Sequence, residues 1–240
     1  MKNNNLKVMG IVGIRSGSKG VPDKNIKLLS GKPLVGWILE AAKKSKYINR
    51  LIVSTDSQKY ADIATSFGAD VPCLRPKNIA NDNSQEFEYV KHMVEWLKKN
   101  EDYRPDIVVR MMATSPLQSF DDIDAVVEKL ISEERADSAV VISEARQHPE
   151  KALKIIYDEE GVGKLVTYYS ESGQEVTPIA RQSYTPAYFR ANVIACRTRV
   201  IFDTNSLTGD LVRFHIISQE RAIDIDSDID FYIAENLNSK

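Results

Sequence analysis

The segment Ile11-Val12-Gly13-Ile14-Arg15-Ser16-Gly17-Ser18-Lys19-Gly20-Val21-Pro22-Asp23-Lys24-Asn25 carries an apolar run, Leu6 to Ile14, into a loop of glycines, serines and cations. The apolar run reads as a first β-strand. Its loop therefore lies where open α/β sheets bind ligands, at a strand's carboxyl end. Gly17 and Gly20 tolerate positive φ and let the backbone come close to a ligand. The exposed N–H groups of Ser16, Gly17, Ser18 and their neighbours suit an anion-binding nest, and Arg15, Lys19 and Lys24 add positive charge. A polyphosphate cradle is the reading this chemistry suggests. A solvated glycine-serine turn has the same composition, so the loop alone leaves both open.

Two familiar phosphate loops are excluded by spacing. In G-x-x-x-x-G-K-[ST] a lysine directly follows the second glycine, whereas Ser18 stands between Gly17 and Lys19. In G-x-G-x-x-G the glycines alternate, whereas Lys19 lies between Gly17 and Gly20.

A chain of 240 residues has room for one large α/β domain, or for one domain with an excursion. Lys plus Arg number 32 against 34 for Asp plus Glu, giving a net charge of −2. That balance argues against a general nucleic-acid binder, which needs clustered excess positive charge. No apolar run approaches the roughly 20 residues that span a bilayer. The opening Met-Lys-Asn-Asn-Asn is polar and leads into a strand rather than a signal-peptide apolar region. Cys73 and Cys196 are far apart and in no metal-ligand pattern, so they read as buried reduced thiols. A cytoplasmic protein with no membrane partner is expected.

Strand and helix patterns then alternate. Pro33 suits a first helical position, and Leu34, Trp37, Ile38 and Ala41 mark one face up to about Ser45. Leu51 to Ser54 is a short strand, and Ser57 caps a helix stopped by Gly68. A brief strand near Val71 follows. Asn83 and Glu86 have capping-box spacing ahead of a helix through Val90, Met93, Val94 and Leu97. Asp106 to Met111 is a strand, Ser119 with Asp122 opens the next helix, and Ser138 to Ser143 is a strand again. This order predicts an α/β fold with a mostly parallel sheet covered on both faces. The rhythm stops near Arg146, and an inserted β-rich arm is expected from about 146 to 190. Arg213 to Ser218 and Ala222 to Ile225 return to the core before a final helix from Asp228 to Leu237.

A second chemical cluster is Ile223-Asp224-Ile225-Asp226-Ser227-Asp228. In an extended segment alternate residues share a face, so Asp224 and Asp226 point one way while the isoleucines are buried. Two close carboxylates repel each other, and a hard cation removes that cost. Mg²⁺ takes one or two carboxylates, waters and substrate phosphate oxygens. A capping role for Asp226 or Ser227 is the alternative. A third cluster, Met111-Met112-Ala113-Thr114-Ser115-Pro116-Leu117, sets the hydroxyls of Thr114 and Ser115 beside the expected crevice. Arg75-Pro76 and Ser84 flank a polar segment suited to a base edge or to a plain surface connection.

Taken in order, these pieces resemble the CMP-sialic acid synthetase (acylneuraminate cytidylyltransferase) family. The resemblance covers nearly the full chain: Arg15-Ser16-Gly17-Ser18-Lys19-Gly20 with Lys24-Asn25, Gly31-Lys32-Pro33-Leu34, Ser54-Thr55-Asp56, Leu74-Arg75-Pro76, Thr114-Ser115-Pro116-Leu117, Ala136-Asp137-Ser138, Arg181-Gln182 and Asp224-Ile225-Asp226. It implies a nucleotidyltransferase with a Rossmann-like sheet and a dimerisation arm, hence a homodimer. CTP and an acidic nonulosonate sugar would give a CMP-sugar and pyrophosphate. The resemblance further implies that Arg15, Ser18, Lys19 and Lys24 hold the triphosphate, with Arg15 and Lys19 sharing the leaving-group charge. By the same likeness Asn25, Arg75 and Ser84 contact cytidine, Asp224 and Asp226 hold Mg²⁺, and Arg181 binds the sugar's carboxylate.

Departures concentrate on the acceptor side. Met112 stands where the family commonly has an amide, and a thioether cannot donate a hydrogen bond. Val193 stands where the family has glycine, adding bulk. N-acetylneuraminate itself is therefore expected to be a poor substrate. A related nucleotidyltransferase acting on a phosphorylated or phosphonate metabolite, and a non-catalytic nucleotide-binding protein, are the alternatives. No general base is legible: His92 reads as a helix-surface residue, and His148 and His215 have no evident carboxylate partner.

Overall fold

A computed structural model describes residues 6–17, 21–169 and 183–238. Six strands form the main sheet in the order β10-β6-β9-β5-β1-β4: β1 Val8–Gly13, β4 Arg50–Ser54, β5 Ile107–Met111, β6 Ser138–Glu144, β9 Tyr188–Arg197 and β10 Val212–Ile217. The helices are α1 Leu34–Lys44, α2 Gln58–Ser66, α3 Glu86–Glu101, α4 Phe120–Ser132, α5 Thr198–Thr204 and α6 Asp228–Asn238. Two small antiparallel sheets complete the described residues, β2 Leu28–Leu29 with β3 Lys32–Pro33, and β7 Leu153–Tyr157 with β8 Gly163–Thr167.

The expected mostly parallel sheet is present. β1 pairs in parallel with β4 (Gly13 opposite Ser54) and with β5 (Val12 opposite Met111), and β10 pairs in parallel with β6. Strand alternation then sorts the core into two layers. Val8, Val12, Val53, Val109 and Val193 meet α1, α2 and α4 on one side. Met9, Ile11, Val108, Val140 and Ile194 meet α3 and α5 on the other.

Several expectations shift. The antiparallel β9, inserted between β5 and β6, was not legible as a sheet member. Its Val193-Ile194-Ala195-Cys196 run carries the signal, but periodicity does not give strand direction. The strand near Val71 is a single bridge between Ile52 and Asp70. The capping box of α3 is Gln85 with Glu88, two residues beyond Asn83 with Glu86. The α4 box is Ser119 with Asp122, as expected. Pro33 sits at the N-cap of α1, one place before the helix. Residues 222–225 join no strand, although Ile223 and Ile225 are buried as the alternation required. They belong to a third apolar cluster with Val21, Leu29, Leu34 and Phe231. That cluster seats the aspartate segment against the excursion following the glycine loop.

Candidate active site

The carboxyl ends of β1 and β5 open onto a cavity of about 390 Å³ lined by Gly13, Arg15, Lys24, Asn25, Arg75, Ser84, Thr114 and Asp226, with Asn81, Asp82, Gln85, Glu86, Tyr89 and Met112 completing the wall. Seven residues expected to serve the nucleotide or metal are thus brought together from separate segments. Ser18 and Lys19 lie outside the described residues, as does Arg181.

The loop after β1 is held open by its neighbours. Ser16 donates from its amide and hydroxyl to the carboxylate of Asp56, at 2.8 and 2.7 Å. Burial alone would raise the Asp56 carboxyl, but these two hydrogen bonds and its surroundings hold it below the ordinary value. Ser16 therefore anchors the loop, and Gly17 takes the left-handed turn with φ of 74°. Asn25, nearly buried, donates from Nδ2 to the Arg15 carbonyl at 3.2 Å. Arg15 reaches across the cavity mouth to Asp82 Oδ1 at 2.5 Å. Lys24 donates to the carbonyl of Ile225 at 2.7 Å and to Asp226 Oδ1 at 3.2 Å, tying the loop to the aspartate segment.

The opposite wall is built on Tyr89. Its ring packs over Gly13, and the Arg75 guanidinium lies 4.4 Å from the ring centre. Arg75 is buried and donates to Ser54 through Nε to the hydroxyl (3.0 Å) and Nη2 to the carbonyl (2.6 Å). Burial pushes the Tyr89 phenol up to about 12, so it stays neutral across the physiological range. Ser84 Oγ accepts from the Asn81 amide at 3.1 Å, within the segment that closes this end.

Thr114 faces the cavity with its hydroxyl buried and unpartnered, and its carbonyl accepts from the Ile225 amide at 2.8 Å. Ser115 is buried and accepts instead from Asn192 Nδ2 at 3.0 Å, which makes it part of the framework. Asp226 is largely exposed, and Asp224 keeps one carboxylate oxygen buried without a partner. The alternative capping role is met by Ser227, just ahead of α6, whose amide and hydroxyl donate to Asp230 at 2.8 and 2.7 Å, while the Asp226 carboxylate pairs with Lys24 instead. Among the described residues no group of three or more His, Cys, Asp or Glu is placed to hold a metal. Asp226 lines the cavity and Asp224 does not; two carboxylates are the number that a Mg²⁺ completed by waters and substrate oxygens takes.

Some sequence readings are corrected. Val193 is fully buried in the sheet core opposite Met111 and is no wall of the cavity, so its bulk is absorbed by packing. Met112 does line it. His215 does have a carboxylate neighbour, Asp122 at 3.4 Å. Half-buried His92 has a buried, unpartnered Nδ1 and is held below its ordinary pKa by burial. His148 stacks on Tyr184 and contacts the Thr185 carbonyl. Cys196 is buried, with its thiol pushed up to about 12 by burial, and Cys73 is half-buried; both are free thiols. Gln85, Glu86 and Tyr89 line the cavity without having been given a site role from the sequence, whereas Asp82 falls within the polar segment between Pro76 and Ser84.

Comparison with known proteins identifies the family and the fold. A family model described as cytidylyltransferase matches residues 9–230. An N-acylneuraminate cytidylyltransferase of Escherichia coli is 27% identical over 98% of this chain but 52% of its own length. The chain thus spans about half of that relative. A CMP-N,N'-diacetyllegionaminic acid synthase of Legionella pneumophila is 28% identical over 97% of this chain and 96% of its own. Among solved structures, a CMP:2-keto-3-deoxy-manno-octonic acid synthetase complexed with CTP shares the fold. Its TM-score is 0.69 at 14% identity, covering 97% of this chain and 98% of that one. The likeness read from the motifs is borne out, and with the matched region spanning the loop, the sheet and both aspartates, the chain belongs to the cytidylyltransferase family.

Proposed function

We propose that this protein couples CTP to an acidic nonulosonate sugar, releasing pyrophosphate and forming a CMP-sugar. The observation that carries the reading is the convergence of Arg15, Lys24, Asn25, Arg75, Ser84, Thr114 and Asp226 on one cavity at the strand ends. The names of the relatives support an acidic nonulosonate as acceptor, and the fold neighbour is a synthetase complexed with CTP.

The acceptor oxygen attacks the α-phosphorus while the bond to pyrophosphate breaks. Negative charge then builds on the departing group, and Arg15 and Lys19 are the cations that receive it. Arg75 and Tyr89 form a rigid wall that orients the nucleoside, with Asn25 and Ser84 offering hydrogen bonds. Positioning of this kind accounts for much of the rate enhancement in such transfers. Cytidylyltransferases of this type use a divalent cation, and Mg²⁺ is our assignment. The unpartnered oxygen of Asp224 and the exposed carboxylate of Asp226 are the donors suited to it. Bound there, it would supply positive charge to the α-phosphate and leaving pyrophosphate.

Arg181 is assigned to the acceptor's carboxylate. Met112 presents a thioether in the cavity, so the favoured acceptor lacks a polar group where an amide would bind one. No described helix is long and apolar enough to cross a membrane, and we place the protein in the cytoplasm. The β7–β8 hairpin exposes Leu153, Ile155, Tyr157 and Leu165, which supports assembly as a homodimer through the 146–190 arm.

The test is pyrophosphate release measured with each of four nucleoside triphosphates against N-acetylneuraminate, its deoxygenated relatives and phosphorylated metabolites. CTP with a deoxygenated nonulosonate should give the highest kcat/KM. Preference for a phosphorylated acceptor would replace the acceptor assignment, and N-acetylneuraminate turnover above about 10⁴ M⁻¹s⁻¹, an ordinary enzyme value, would remove the role given to Met112.

A further inference from the structure

Asp122 holds both the turn that follows Thr114 and the segment that leads to Ile225, whose backbones meet beside the cavity. It is fully buried at the third position of α4. One oxygen accepts from the Ser119 amide at 2.9 Å, closing the capping box that ends the Thr114–Gln118 turn. The other pairs with Arg221 Nη2 and faces His215 Nε2 at 3.4 Å. Arg221 also donates to Ser119 Oγ at 2.8 Å. It lies in the turn after β10, just ahead of Asp224, and four residues further on the Ile225 amide meets the Thr114 carbonyl.

We propose that Asp122 and Arg221 are positioning residues for the Mg²⁺-binding aspartates. This rests on the metal reading above. The physical reason is that residues 223–226 belong to no strand, so no sheet ladder sets their place. Their position is set by the burial of Ile223 and Ile225, by the Thr114–Ile225 and Lys24–Ile225 hydrogen bonds and, upstream, by the Asp122–Arg221 pair. A buried carboxylate with a specific partner resists movement, because separating the pair leaves a buried charge uncompensated. Arg221 is partly exposed and lines no part of the nucleotide cavity, so its loss should act through the segment it holds.

The test is CTP affinity by calorimetry, with EDTA and with saturating Mg²⁺, for the parent, Arg221→Met, Arg221→Lys and Asp226→Asn. In Arg221→Met, affinity in EDTA should stay within about twofold of the parent, while the tightening produced by Mg²⁺ falls about tenfold, the lower end for groups behind metal ligands. Arg221→Lys should restore most of it. Intact tightening in Arg221→Met overturns the proposal, and so does an equal loss with and without metal, which marks a general structural defect. If Asp226→Asn keeps the parent's Mg²⁺ dependence, the metal reading fails and this proposal falls with it. Loss in Asp226→Asn with none in Arg221→Met removes the positioning role alone.

Discussion

Gly13 and Tyr89 fit together as a single unit, since a β-carbon at position 13 would lie 2.5 Å from the tyrosine ring. The ring cannot retreat freely, being carried on α3, buried and stacked against Arg75. Gly13→Ala should therefore push the ring and its arginine out of place, weakening CTP binding about tenfold by calorimetry, with the cost of overpacking visible as a lower Tm. Unchanged affinity would mean that the Arg75–Tyr89 wall does not serve the nucleoside. Asp56 offers a pH test. Its folded pKa is lowered, so its contribution to stability is complete above the unfolded value of about 3.9 and is lost as pH falls through the folded value. Asp56→Asn should flatten the acid limb of a urea-unfolding series below about pH 4, and identical limbs would contradict the anchoring of Ser16. At this scale the charged loop residues were readable because their chemistry is local: Arg15, Lys24 and Asn25 follow a strand and flank glycines. Tyr89 was not, because an aromatic at core spacing on a helix looks the same whether it backs a cavity or fills one.

Elements were legible where caps and alternation agree, and blurred where they compete. Ser119 with Asp122 was read correctly because one Ser-x-x-Asp pattern precedes an apolar face. Ahead of α3 the run Asn83-Ser84-Gln85-Glu86-Phe87-Glu88 holds two overlapping solutions, and the chain uses Gln85 with Glu88. Glu88 Oε2 accepts from the Gln85 amide at 2.6 Å, whereas the Asn83 amide is spent on Asn81. Glu88→Ala should cost about 0.5–1 kcal/mol in denaturant unfolding, within the usual range for a cap. Asn83→Ala should stay within about 0.5 kcal/mol of the parent, and the reverse ranking would favour the earlier start. The antiparallel β9 escaped because a buried strand's apolar run does not report its direction. The 222–225 return was readable as burial but not as structure: Ile223 and Ile225 alternate inward, yet their backbone pairs with Thr114 rather than with a strand.

For the whole molecule, the parallel core follows from alternating strand and helix patterns, and the site follows from it, because β1, β4 and β5 lie side by side with their carboxyl ends at one edge. The β7–β8 hairpin answers to a different requirement. A two-stranded sheet is marginal alone, and this one exposes tyrosines and leucines that a second copy would cover. Sedimentation at micromolar concentration should show a dimer, and Tyr157→Glu, at a 69% exposed hairpin position, should shift it toward monomer. A monomeric parent would return those aromatics to the arm's own packing. The proposed transfer attacks the α-phosphorus and leaves CMP attached to the sugar. ³¹P NMR of CTP, Mg²⁺, a deoxygenated nonulosonate and the protein follows this directly. The CTP resonances should give way to pyrophosphate and one new phosphodiester, in equal amounts. CTP left intact, or converted to CMP or CDP without a sugar phosphodiester, would contradict it.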